Sequence, residues 1–477
     1  MKKNVIGAQV GAISFVDEGV DHVLDFLQKE AGVNTLYISA LSWARGNAGR
    51  GSMGYPDHGP HEPDYLQGGA FFEPDPKYYG ATFLKDFKAP DPLYKGFDTL
   101  RDVIPAAKKR GMETFIYYCE TSRPEPKSRW VPGWTHILEV DHLGRRGKIP
   151  CYNNPEYKIW WRSVIEDYCN NHEIDGLMWG LERKSAVSAV LDGEPASCFC
   201  EHCMEKAHKK NIDGERAKEG YTKLYNYVKA CKAGVEMPDG YLANFVRILM
   251  RYPEIMQWEK MWYESHIGLA KEIYGTGKWL SPEKSFGLGI WQVTETFSFW
   301  LRSMYDYSDF IECADFIKPI LYNIPASSRI RAHIEGRQKT VFRDFDSLHA
   351  LTEALYPILG LKGQPEYEKL NDVGFSTDYI QNAVKRIRKG VKDTMPVFAG
   401  IPTGVPTGEG IVEATPADIT DAVKATFEAG GKGVILSRNY SEANLDNMRA
   451  CKKAIDEMGL DTESKVGEGS GSEKSVY

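Results

Sequence analysis

The sequence lacks any run of about 18 apolar residues, so it holds no segment that reads as a transmembrane helix. The first residues, MKKNVIGAQVGAISF, carry two lysines but only a short apolar stretch, interrupted by Gln9 and Gly11. They lack the apolar core and small-residue cleavage site of a secretory leader, and a cytoplasmic location is the expectation. Charge of one sign is also lacking. A net charge of -7 argues against a nucleic-acid binder, which would show a basic stripe. No GxGxxG follows the first apolar run, which weakens a dinucleotide-binding reading. No pair of histidines stands at the i, i+4 helical spacing of a zincin. Cysteine is scarce and odd in number: nine residues, mostly scattered, fit free thiols and a metal site better than a disulfide framework.

The 477 residues would by length suggest two or three domains, but barrels with long loops are an exception. A 42% hydrophobic share supplies a large core, and the 11 Trp and 26 Tyr are read first as core side chains and second as platforms for sugar rings. Short β-rich runs alternate with amphipathic helical stretches eight times. The expected strands are 5–13, 35–39, 114–118, 176–179, 286–291, 315–321, 396–400 and 433–436. Thr415 is the expected N-cap of a helix with Pro416 in its first turn. Such alternation signals a parallel sheet, and eight repeats point to an α/β fold, a (β/α)8 TIM barrel with long βα-loop insertions. The expectation is one barrel over residues 1–460, insertions at about 43–95 and 183–275, and a disordered polar tail over 461–477. Val5 and Gly433 should then begin neighbouring parallel strands.

Barrel chemistry sits just beyond the strand C-termini. Glu182 closes IDGLMWGLE, a buried strand running into a carboxylate. Glycoside cleavage needs one carboxylic acid to protonate the leaving oxygen and a second carboxylate as nucleophile or water base. Glu182 stands where the acid would stand; the bland alternative is a rim ion pair with Arg183 or Arg45. Glu120 and Glu295, at other strand ends, are the candidates for the partner. Trp130, Trp134 and Trp291 are candidate sugar-stacking surfaces. Trp43, Arg45, His58, His61, Tyr322, Asn323 and Arg438 complete the substrate-binding candidates.

The second signal is Cys198-Phe199-Cys200-Glu201-His202-Cys203. Three thiols at this spacing can converge on one ion, the alternative being reduced thiols that pack a loop, and zinc takes four tetrahedral ligands at structural sites. The fourth ligand is Cys119, Cys151 or His202, with Cys119 leading because the third and fourth strands of a barrel are neighbours. Such a closed site is structural and pins the loop after Glu182.

The order strand, Glu182, C-x-C-x-x-C resembles barrel glycoside hydrolases of the zinc-containing β-galactosidase type. That resemblance implies Glu182 as general acid/base and Cys198, Cys200, Cys203 and Cys119 as ligands of a structural zinc. CYNNPEYKIWWRSVIEDY, DFIKPILYN and GKGVILSRNYSE also look like uncharacterised glycosidase-like barrels. Two positions depart from the pattern: Leu181 stands where the family has Asn, and Thr403 stands near its strand-seven nucleophile. The expected function is hydrolysis of a small or side-chain glycoside, by a protein with a carbohydrate substrate, no nucleic-acid or membrane partner, and scope for homo-oligomers. The alternatives are a carbohydrate lyase or isomerase, and a non-catalytic carbohydrate-binding barrel.

Overall fold

The computed structural model describes residues 4–43, 68–90, 92–121, 130–405 and 408–462. Eight parallel strands form its centre: β1 (Val5–Gly11), β2 (Thr35–Ser39), β3 (Glu113–Thr121), β4 (Gly176–Glu182), β5 (Ser285–Ile290), β6 (Phe316–Pro319), β7 (Phe398–Pro402) and β8 (Gly433–Ser437). Each pairs with its sequence neighbour from β1 to β6, β7 pairs with β8, and Val5 stands opposite Gly433 to join β8 to β1. Parallel bridges Ile317–Val397 and Ile320–Gly400 close the ring between β6 and β7. The fold is therefore a (β/α)8 barrel. The first strand stops at Gly11 rather than Ile13, because helix Ala12–Glu18 begins there. The third and fourth strands run three residues past their expected ends, carrying Glu182 inside the sheet.

Side chains alternate between the two faces of a strand, and this parity sorts the wall. Leu177, Trp179 and Leu181 of β4 join the apolar layer between sheet and helices. Val5, Tyr37, Phe115, Tyr117, Met178, Phe316, Phe398 and Ile435 make a separate apolar cluster inside the ring. Glycines accommodate these rings: a methyl on Gly7 would lie 2.6 Å from Tyr37. The barrel is thus plugged by close-packed side chains, as an eight-stranded ring requires.

The helical layer follows local rules. The Asn154 side chain accepts from the Glu156 amide at 3.0 Å and starts helix Pro155–Asn171, which buries Trp160 and Trp161. Thr415 caps helix Pro416–Glu428 with a reciprocal bond from Asp418. Between β4 and β5 lie helices Ala186–Asp192, Glu201–Lys209, Gly214–Lys232, Tyr241–Arg251 and Glu254–Leu280. They enclose a second apolar core around Phe199, Tyr221 and Trp258. Among the described residues no helix is long and apolar enough to cross a membrane.

Candidate active site and thiol cluster

The hydrogen-bond register sets the floor of the barrel mouth. Cys119 of β3 stands opposite Gly180 of β4, Gly180 opposite Gly289 of β5, and Gly289 opposite Lys318 of β6. Two glycines in the middle of this row leave open the space between the Cys119 thiol and the Lys318 side chain. Glu182 lies one inward-facing step further along β4, half-buried. The Cys119 thiol is within hydrogen-bonding reach of Tyr117 and Glu182, and burial pushes it well above the usual thiol range, with the Glu182 charge adding to the rise. Lys318 is 2% exposed and reaches over Gly400 of β7; a methyl there would lie 2.5 Å from Lys318 Cε and 3.0 Å from Nζ. Burial pushes the Lys318 ammonium down to about 8, against the pull of Glu182 and Cys119.

The rim is polar on one side and aromatic on the other. The Ser437 hydroxyl donates to Gln9 Oε1 at 2.6 Å. Arg438 pairs with Glu442 at 3.4 Å; that carboxylate is the main cause of its raised pKa, and Glu182 adds to it. Tyr322 is buried, with Lys318 Nζ 5.8 Å and the Arg329 guanidinium 5.4 Å from its ring centre. Burial raises its hydroxyl above the usual phenol range. Trp291 is half-buried against Ile320, Tyr322 and Val405.

The candidate residues separate by this geometry. Glu182, Arg438, Tyr322 and Trp291 stand at the C-terminal ends of the strands. Arg183 faces away from Glu182: it is fully buried, stacks over the Tyr152 ring at 3.8 Å and approaches Glu139 at 3.5 Å. The rim pair of Glu182 with Arg183 is therefore absent, because the guanidinium is held by Tyr152, Glu139 and the Pro150 carbonyl. Glu295 lies in a helical turn after β5, 2% exposed, in contact with the Arg386 guanidinium and accepting from the Tyr307 hydroxyl. Burial drives its carboxyl up to about 8, against the opposing charge of Arg302. These contacts tie it to the outer helices. Glu120 pairs with Leu181 in the ladder, and its side chain lies outside the described set.

Trp43 is buried against Trp134, ring centres 4.8 Å apart, and Trp134 packs on Trp160. Both belong to the helix-facing core. The half-buried Trp130 flanks Trp43 and donates its indole N–H to the Gly68 carbonyl at 3.1 Å. Asn323 is 3% exposed and donates to the Phe375 carbonyl at 3.2 Å. Arg45, His58 and His61 lie outside the described residues. Lys318 and Tyr117 were absent from the candidates. The signal was a lysine breaking the apolar run DFIKPIL, two residues after the inward-facing Phe316.

Four thiols converge outside the barrel wall. Cys151, Cys198, Cys200 and Cys203 have sulfurs all within 4.8 Å of one another. Cys151 Sγ lies 3.5 Å from both Cys203 Sγ and Cys200 Sγ. Tetrahedral zinc with its usual thiolate bond length spaces its sulfurs by ~3.8 Å, inside this range. Backbone amides point at the cluster: Val140 donates to Cys198 Sγ at 3.4 Å and Asn153 to Cys151 Sγ at 3.3 Å. Such donors stabilise thiolates, so the residues fit a metal ion. The fourth thiol is Cys151 and not Cys119, because Cys119 faces the barrel interior while the cluster lies on the far side of the wall. His202, beside Glu201 at 3.8 Å, is outside the quartet. Cys151 follows the hairpin Leu138–Val140/Arg146–Pro150, so the quartet ties the β3–β4 connection to the insertion after β4.

No family model and no curated protein matches the sequence. Solved structures do match in fold. The chain superposes on β-galactosidase from the psychrophilic Marinomonas ef1 with a TM-score of 0.53 at 11% identity, covering 96% of this chain and 61% of that one. A polyextremophilic β-galactosidase from Halorubrum lacusprofundi gives 0.53 at 11% identity, covering 96% and 59%. The PgaB (BpsB) glycoside hydrolase domain from Bordetella bronchiseptica gives 0.52 at 9% identity, covering 97% and 100%. The chain spans about three fifths of the two β-galactosidases. The fold is that of glycoside-hydrolase barrels.

Proposed function

We propose that the protein is a glycoside hydrolase acting on a small or side-chain glycoside, with Glu182 as general acid. One observation carries this reading: Glu182 ends β4 inside the sheet, directed at the mouth of a barrel whose fold is shared with glycoside hydrolases. A carboxyl held there protonates the leaving oxygen as the glycosidic bond breaks. Trp291 and Tyr322 offer the apolar face of the pocket, and Arg438 its polar face. The second carboxylate is assigned to Glu120 or Glu295. The contacts of Glu295 with Arg386 and Tyr307 make Glu120 the stronger of the two. The thiol quartet is read as a structural zinc site, as in the zinc-containing β-galactosidases the sequence resembles. Zinc there fixes the loop that follows Glu182.

The test is a panel of 4-nitrophenyl and alkyl glycosides assayed with wild type and Glu182→Gln. Hydrolysis of at least one alkyl glycoside is expected, falling about 10²-fold or more in the variant. Full activity of Glu182→Gln on that substrate makes Glu182 structural. Sugar binding without hydrolysis of any substrate favours the non-catalytic reading, which the absence of an acid near Thr403 supports.

A further inference from the structure

Lys318 has no role in the reading above, and its setting is unusual. It is a 2% exposed lysine on the inner face of the barrel. Among the described residues no carboxylate oxygen stands within 4.0 Å of its ammonium. Glu182 and Cys119 face it from β4 and β3, close enough to act on its charge but with Gly180 and Gly289 between. The other strands make room for it: Gly400 bears no side chain where Lys318 Cε and Nζ lie. A buried cation without a paired anion is costly unless something else supplies the counter-charge.

The same charge bears on the reaction. Glycoside cleavage passes through an oxocarbenium-like, positively charged transition state. An ammonium on the floor of the site opposes that charge unless an anion lies between them. The described part of the mouth holds two further cations, and each has a partner: Arg438 has Glu442, and Arg329 donates to Gln292 Oε1 at 2.6 Å. Lys318 is the one left without an ion-pair or hydrogen-bond partner among the described residues. We propose that Lys318 receives a carboxylate carried by the substrate, so that the barrel takes acidic sugars, uronides in particular, over their neutral counterparts. This rests on the reading of the barrel mouth as the sugar site. The substrate carboxylate would lie over the Gly180–Gly289 floor, neutralise Lys318 and face the developing positive charge of its own ring. Burial lowers the Lys318 ammonium only to about 8, because Glu182 and Cys119 oppose the fall, so it still carries its proton at neutral pH, as this recognition requires.

The experiment measures binding of methyl β-D-glucuronide and methyl β-D-galacturonide against the matching neutral methyl glycosides by calorimetry at pH 6.5. It uses the full chain as purified, and runs the corresponding 4-nitrophenyl substrates in parallel. A charge-assisted contact predicts that wild type prefers an acid sugar by about tenfold or more. Lys318→Met, an apolar near-isostere, should bring acid and neutral sugars to within about twofold, while Lys318→Arg keeps the preference. The wild-type comparison needs no variant, so it decides even if Lys318→Met fails to fold. Equal binding of acid and neutral sugars, no binding of either uronide at 10-millimolar-order concentrations (~10 mM), or a preference unchanged in a folded Lys318→Met overturns the proposal. Glu182-dependent hydrolysis of neutral glycosides with no acid preference removes this inference and leaves the hydrolase reading standing. Lys318-dependent uronide binding without hydrolysis does the reverse.

Discussion

Two thiol environments lie on opposite sides of one barrel wall. Inside, Cys119 stands alone in a row with two glycines and a lysine, in the neighbourhood of Tyr117 and Glu182. Outside, four cysteines crowd within 4.8 Å, with amide donors around them. Burial raises the Cys119 thiol and so keeps it protonated; in the outer cluster burial raises Cys198 as well, while hydrogen bonds from the neighbouring thiols hold Cys200 below the usual range. The same residue type therefore serves two ends. The outer thiols are placed to fit a metal ion between two loops; the inner one lies in the inward-facing row at the candidate barrel mouth. Outer changes should register first in stability and inner changes first in ligand binding and turnover.

The largest effect expected comes from breaking the outer site. Cys151→Ser should lose bound metal and lower the unfolding free energy by about 3 kcal/mol or more. Elemental analysis and urea denaturation measure both. Cys119→Ser run beside it should keep the full metal content. If Cys119→Ser loses the metal and Cys151→Ser keeps it, the separation of the two environments is wrong.

Acid probes the packing between them. His266 is fully buried, stacked on Tyr152 at 4.9 Å, next in the chain to Ser265 of the thiol region. Burial drives its pKa down to about 3. The unfolded chain binds this proton near pH 6.5 and the folded one does not, so stability is full above pH 6.5 and falls as the pH drops toward 3. Denaturation midpoints at pH 7.5 and 4.5 should differ, and His266→Phe should narrow that difference. An unchanged difference assigns the acid sensitivity elsewhere.

A smaller effect is expected from Gly400→Ala. The added methyl meets Lys318 Cε at 2.5 Å, so the lysine shifts at a cost of about 1–3 kcal/mol. Turnover or ligand affinity should fall while metal content stays constant. Smallest of all, Cys119→Ser should retain activity within about threefold, since a hydroxyl is close in size to the thiol and can also donate and accept a hydrogen bond.

The sequence showed the barrel through its eight alternations, because an apolar run closed by a turn and followed by a capped helix is a local signal; Thr415-Pro416 is one instance. It placed Glu182 at a strand end for the same reason, and brought out three of the four clustered thiols through their short spacing. The fourth was not legible. Choosing between Cys119 and Cys151 depends on which face of β3 a residue takes and on where a hairpin folds back, and neither is a spacing. Lys318 was hidden in a run that reads as apolar. Only the register that sets it beside Gly289 and over Gly400 brings it to the candidate site.

The most direct test of the central claim is the dependence of turnover on the leaving group. Measured over glycosides whose leaving-group pKa runs from nitrophenols to simple alcohols, wild type should show a shallow slope, because Glu182 supplies the proton. Glu182→Gln should show a steep one, nearly matching wild type on the most acidic phenol and losing about 10²-fold or more on the alcohols. Equal slopes for the two enzymes would contradict the assignment of Glu182 as the acid.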